Sequence, residues 1–87
     1  MALNFPNQSR SYDDARKTVR FWGHDGTFEV SFVVDVAALA KIQALPRLDE
    51  AAILAAFDRA RTRISEVASA LYRLRRSDAY QLVAADF

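Results

Sequence analysis

The segment Thr18-Val19-Arg20-Phe21-Trp22-Gly23-His24-Asp25-Gly26-Thr27-Phe28-Glu29-Val30-Ser31-Phe32-Val33-Val34 alternates apolar and polar residues on both sides of Asp25-Gly26. Before that pair, Val19 and Phe21 alternate with Arg20 and Trp22. After it, Phe28, Val30, Phe32 and Val34 alternate with Thr27, Glu29, Ser31 and Val33. A period of two is the strand period, because successive side chains of an extended backbone point to opposite faces. An Asp-Gly pair between two such runs predicts a tight hairpin, since glycine supplies the positive φ that such turns require. One face of the hairpin is then nearly all apolar, with Val19, Phe21, Phe28, Val30 and Phe32. The other carries Arg20, Glu29 and Ser31, with Trp22 leaning toward solvent. A sheet with one dry and one wetter face is expected where helices cover one side only.

Toward the N-terminus, Tyr12-Asp13-Asp14-Ala15-Arg16-Lys17 reads as a polar turn, and a short strand near Leu3 to Phe5 or around Arg10 to Tyr12 precedes it. Toward the C-terminus, Asp35 predicts a helix start by capping free N–H groups, with Val36, Leu39, Ala40 and Ile42 as its apolar stripe. Pro46 stops that helix. Asp49 is the next cap, with Glu50 favourable against the positive end of the helix dipole. From about Asp49 to Leu74 a single long helix is predicted. Ile53, Phe57, Ala60, Ile64, Val67 and Leu71 recur at three- and four-residue steps on the face that meets the sheet. A second row, Leu54, Arg61, Ala68 and Tyr72, is available to the short helix or to another subunit, while Arg59, Arg63, Glu66 and Arg73 face water. Ala79 to Ala84 alternates again, with Tyr80, Leu82 and Ala84 on one side, and returns as a strand. The expected fold is α+β: one domain over residues 1–87, with a small antiparallel sheet of hairpin, N-terminal and C-terminal strands and two helices packed on one face.

With 87 residues, 52% of them apolar, the chain has enough material for one core and too little for two. The absence of cysteine excludes disulfides, thiolate catalysis and sulfur-ligated metals. No apolar run approaches the ~20 residues that cross a bilayer. Met1-Ala2-Leu3-Asn4-Phe5-Pro6 lacks the basic and apolar regions of a secretory leader, so the cytoplasm is the expected compartment. Net charge is +1, but its distribution is uneven, with six arginines between Arg59 and Arg76 against the single acid Glu66.

Phe5-Pro6, the Tyr12-Asp13 pair, Val19-Arg20-Phe21 before a glycine-containing turn, Phe57 followed by Arg61 and Ile64 in a long helix, and a tyrosine-bearing end together resemble the domain of unknown function family 1488. The resemblance covers essentially the whole chain and rests on core and turn positions. It implies a small α+β domain of bacterial origin and no particular activity or site.

Each group able to do chemistry has a structural explanation beside the functional one. His24 beside Asp25 is an imidazole–carboxylate pair of the acid–base kind, and it is equally what a solvated hairpin tip looks like. Asp13-Asp14 sits in a turn, where aspartate bonds the local backbone. Gly23 and Gly26 do not open a helix as a phosphate-cradling loop does. No catalytic residue, metal or cofactor is therefore expected. Arg73, Arg75 and Arg76 oppose the negative end of a helix dipole. With Arg59 and Arg63 they form a basic stretch whose alternative reading is weak nucleic-acid binding, against which the near-zero net charge weighs. Arg61 borders the apolar row and predicts an ion pair at the packing edge. Trp22 is either a partner anchor or is covered by Phe5 or Tyr12. The function expected is a small non-enzymatic interaction module, homodimeric through the second helical row or an open sheet edge, with Trp22, Arg61 and Tyr72 as the partner-binding candidates. No membrane role is expected, and a small enzyme built on His24 and Asp25 is the remaining alternative.

Overall fold

A computed structural model describes residues 3–87, so Met1 and Ala2 of the N-terminal stretch lie outside the described residues. The chain runs β1 (Arg10–Asp13), β2 (Thr18–Asp25), β3 (Phe28–Asp35), α1 (Val36–Ile42), α2 (Glu50–Arg59), α3 (Arg61–Leu74) and β4 (Ala79–Leu82), and closes with a 3₁₀ turn at Ala84–Asp86. It is an α+β fold built on one four-stranded sheet of order β1-β2-β3-β4.

The hairpin is formed by β2 and β3, in the register Phe21↔Phe32 and Asp25↔Phe28. Gly26 at the turn takes φ +65°. Thr27 keeps a negative φ, which gives the signs of a type II′ turn whose twist matches the strands it joins. Of the two N-terminal alternatives, the segment around Arg10 to Tyr12 forms a strand and the one near Leu3 to Phe5 a single bridge. β1 pairs antiparallel with β2, and Asn4 makes an isolated antiparallel bridge to His24 through two main-chain hydrogen bonds of 2.8 and 2.7 Å. Gly23 makes that bridge possible: a Cβ there would lie 3.0 Å from the side chains of Leu3 and Phe5, which fill the space it leaves.

The structure departs from the sequence expectation in the direction of the last strand, in the number of helices and in their capping. β4 pairs with β3 in parallel, so the sheet is mixed. The direction of a returning strand depends on how many times the helical crossover reverses, and hydrophobic periodicity does not report that. The long helix is also two helices, divided at Ala60, where φ −96° and ψ 6° interrupt the α geometry. The buried row passes through the division without a gap (Ile53, Phe57, Ala60 and Ile64 are all buried), so its spacing carries no sign of the break. Asp35 and Asp49 occupy the N-cap positions, but neither side chain caps. The Asp35 carboxylate accepts from Gln81 Nε2 at 2.9 Å, and that of Asp49 from Arg47 Nε at 3.0 Å. The first N–H of α1, on Val36, is satisfied by the Lys17 carbonyl.

The helices and the dry side of the sheet share one core. Aromatic rings cross it. Phe21 stacks on Phe32 and Phe32 on Tyr80, each at 5.2 Å, Phe57 tilts onto Phe21 at 5.3 Å, and Tyr72 meets Tyr80 edge-on at 6.2 Å. The second helical row is absorbed here too. Ala68 and Tyr72 are buried and Leu54 packs against the core, so the row meets this chain's own residues rather than lying free for another subunit.

β4 is an edge strand. The 3.0 Å bond from Ser31 N–H to the Asp78 carbonyl sets the phase of the parallel ladder and turns the main-chain groups of Ala79, Gln81 and Val83 outward. The chain itself caps two of these three. The Ser77 hydroxyl donates to the Ala79 carbonyl at 3.1 Å and accepts its N–H at 3.4 Å, and the Asp86 carboxylate accepts the Val83 N–H at 2.8 Å.

Candidate functional site

The strand period and the II′ turn carry Asp25 and Phe28 to the hairpin tip as a cross-strand pair on the helix side of the sheet. Phe28 has the parity of the core residues but overhangs the end of the core and is 60% exposed. The last turn of α3 brings Tyr72, and the segment just after the helix brings Arg76, up against the same tip. Tyr72 donates its hydroxyl to Asp25 Oδ2 at 2.7 Å, and Arg76 Nη1 lies 3.8 Å from the same oxygen. The Arg76 guanidinium also sits over the Tyr72 ring, 4.6 Å from its centre. Between tip and helix end is a cleft of about 450 Å³ lined by Asp25, Phe28, Tyr72, Arg76, Ser77 and Asp78. The Tyr72 phenol is held above its ordinary pKa near 10.0, chiefly by its hydrogen bond to Asp25 and then by burial. A phenol shifted that way stays neutral and donating at physiological pH, which suits it to holding a carboxylate in place rather than to exchanging protons.

A second polar cluster sits where α2 meets α3. Arg10 reaches across from β1 to Asp58 in a two-point pair, Nε to Oδ1 at 2.9 Å and Nη2 to Oδ2 at 2.8 Å. Arg61 Nη2 donates to Asp58 Oδ1 and to the Gln8 carbonyl, both at 3.1 Å, with its guanidinium 4.9 Å from the centre of the Phe57 ring. The hydrogen bond from Arg10 is the main cause that holds the Asp58 carboxyl below its ordinary pKa; burial opposes it, and Arg61 adds to the lowering. Below this knot a groove of about 520 Å³ runs between Phe5, Gln8 and the α3 residues Thr62, Ser65, Ser69 and Arg73.

The profile of a family described as Protein of unknown function (DUF1488) matches residues 3–83. The chain belongs to the DUF1488 family. Neither the curated proteins nor the solved structures contain a match to it.

In this DUF1488 chain the three partner-binding candidates are not brought together. Trp22 lies on the open face of the sheet, half-buried, opposite Ser31 and diagonal to Val33. Arg61 and Tyr72 lie on the helix side, in the separate clusters just described. Phe5 and Tyr12 do not cover Trp22. Phe5 packs on Phe21 and Phe32, and Tyr12 pairs with Val19, all on the other face. His24 and Asp25 are successive residues of one strand and so point to opposite faces. His24 Nε2 lies 3.8 Å from Glu29, while Asp25 turns to Tyr72, and the acid–base pair proposed from their adjacency does not form.

The five arginines of the nucleic-acid alternative lie against several different parts of the chain. Arg63 lies over Phe87, Arg75 over Tyr80 and Arg76 over Tyr72, while Arg73 borders the Phe5 groove and Arg59 faces Pro46 and Arg47. Among the described residues no group of three or more His, Cys, Asp or Glu is placed to hold a metal ion, and no helix is long and apolar enough to cross a membrane. The residues that sequence reasoning missed are Phe28 as a rim and Asp25 as the partner of Tyr72. That pair is 47 positions apart, and neither member has a local signal for the other.

Proposed function

We propose that this DUF1488 chain is a small non-enzymatic interaction module whose contact surface is the open face of the sheet, centred on Trp22, and whose simplest partner is a second copy of the chain. The observation that carries the reading is a tryptophan on β2, on the face of the sheet opposite the core, which none of the described helices covers, with Val33 diagonal to it on β3. A large amphipathic ring in such a position is a common anchor for association. The face has opposite charges at its two ends, Arg20 on one side of the Trp22 row and Glu29 on the other. A two-fold axis lying across the strands at Trp22 sets the arginine end of one copy against the glutamate end of the other, the self-complementarity that an isologous dimer needs. Four strands at about 4.8 Å spacing make a narrow patch, which favours a reversible, concentration-dependent dimer over an obligate one.

Sedimentation equilibrium over a wide concentration range tests this. The expected result is a monomer–dimer equilibrium that Trp22→Ala shifts toward monomer with an unchanged far-UV spectrum. Wild type that stays monomeric at millimolar concentration, with a tryptophan emission maximum independent of concentration, overturns the self-association reading.

A further inference from the structure

We infer that the cleft between the hairpin tip and the end of α3 receives an arginine side chain from a partner protein. This site is separate from the Trp22 face, and its chemistry is set by what the cleft leaves unsatisfied. The Asp25 side chain is only 12% exposed. Its Oδ2 takes one full hydrogen bond, from Tyr72, while the 3.8 Å approach of Arg76 is an ion-pair distance too long for a hydrogen bond. A carboxylate has about four acceptor positions, so Asp25 keeps unused acceptor capacity within the lining of the cleft. Asp78 adds a second carboxylate to the lining. Against these two negative groups stands the single positive Arg76, so a cation entering the cleft completes its charge balance.

The walls select among cations. Phe28 offers a largely exposed aromatic ring at the rim, and a planar, weakly hydrated guanidinium stacks on such a ring better than a compact ammonium does. The chain itself displays the same chemistry, since the Arg76 guanidinium lies on the Tyr72 ring and beside the Asp25 carboxylate. Its side chain is 54% exposed and makes no hydrogen bond to that carboxylate, so it can swing toward water as a partner arginine enters on the Phe28 side. Arg76 is thus both the internal precedent for the ligand and its competitor.

The test is a two-dimensional NMR titration of the full chain with blocked arginine (N-acetyl-arginine-amide) and with its uncharged isostere, N-acetyl-citrulline-amide. Blocked arginine is expected to bind at millimolar concentration, about tenfold more tightly than the citrulline probe, with shifts concentrated at Asp25, Phe28, Tyr72 and Arg76. Asp25→Asn keeps an acceptor for Tyr72 while removing the charge, and is expected to abolish the preference. Arg76→Gln, at an exposed position, is expected to tighten binding severalfold. Equal affinity for the two probes, shifts centred elsewhere, or Arg76→Gln binding no better than wild type each overturn the inference. Free arginine binding more tightly than the blocked form overturns the protein-partner assignment in favour of a small-molecule site.

Discussion

Tyr72 joins the longest helix to the hairpin tip by one hydrogen bond. The phenol pKa is raised in the folded chain, so the bond contributes its full stability below the unfolded value near 10.0 and loses it as pH rises through the folded value. Tyr72→Phe is expected to lower the melting midpoint by about 5 °C at neutral pH. That difference should shrink in scans above about pH 10; a difference that persists there means packing, not the hydrogen bond, was lost. Phe57 is fully buried against Phe21, and Phe57→Ala is expected to cost about 3–5 kcal/mol by urea denaturation. A loss below about 1 kcal/mol contradicts the burial. At this scale the sequence was half legible. The core phase of Ile53, Phe57 and Ile64 could be counted from their spacing, and Arg61 makes the packing-edge ion pair its position predicted, with Asp58. Tyr72 could be named, but its partner Asp25 lies at the far end of a strand, where only the tertiary fold brings it near.

Among the elements, the division between α2 and α3 is flanked by the knot of Arg10, Asp58, Arg61 and Gln8, which ties β1 and the N-terminal segment to the point where the α geometry is interrupted. The Asp58 carboxyl is depressed below its ordinary value of 3.8, so its stabilisation is complete above that value and is lost as pH falls through the lower folded one. The Asp58 side chain is 43% exposed, so water screens much of the attraction. Asp58→Asn is expected to cost about 0.5–1 kcal/mol at neutral pH. The gap between wild type and variant should hold down to about pH 4 and close only as pH falls further, through the lower folded value; a gap independent of pH assigns the effect to packing. The hairpin was readable because its turn and register are local, written in Asp25-Gly26 and the alternation around it. The sense of β4 and the break at Ala60 were not. Both depend on how three helices stack between β3 and β4, and no short window of sequence encodes that.

For the molecule as a whole, the rim of the sheet bears on how copies of the chain meet. A strand that ends a sheet in parallel register, with its outer donors and acceptors free, is a template on which further chains add one after another without limit. Ser77 and Asp86 close most of that rim on β4, leaving Gln81 as the one uncapped outward residue of the three. The double variant Ser77→Ala with Asp86→Ala is expected to form thioflavin-positive fibrils on prolonged warming, under conditions where wild type stays clear. Identical fibril lag times in the two proteins would deny the caps this role. Two short polar side chains, one before the strand and one after it, thus occupy main-chain groups that an incoming strand would need.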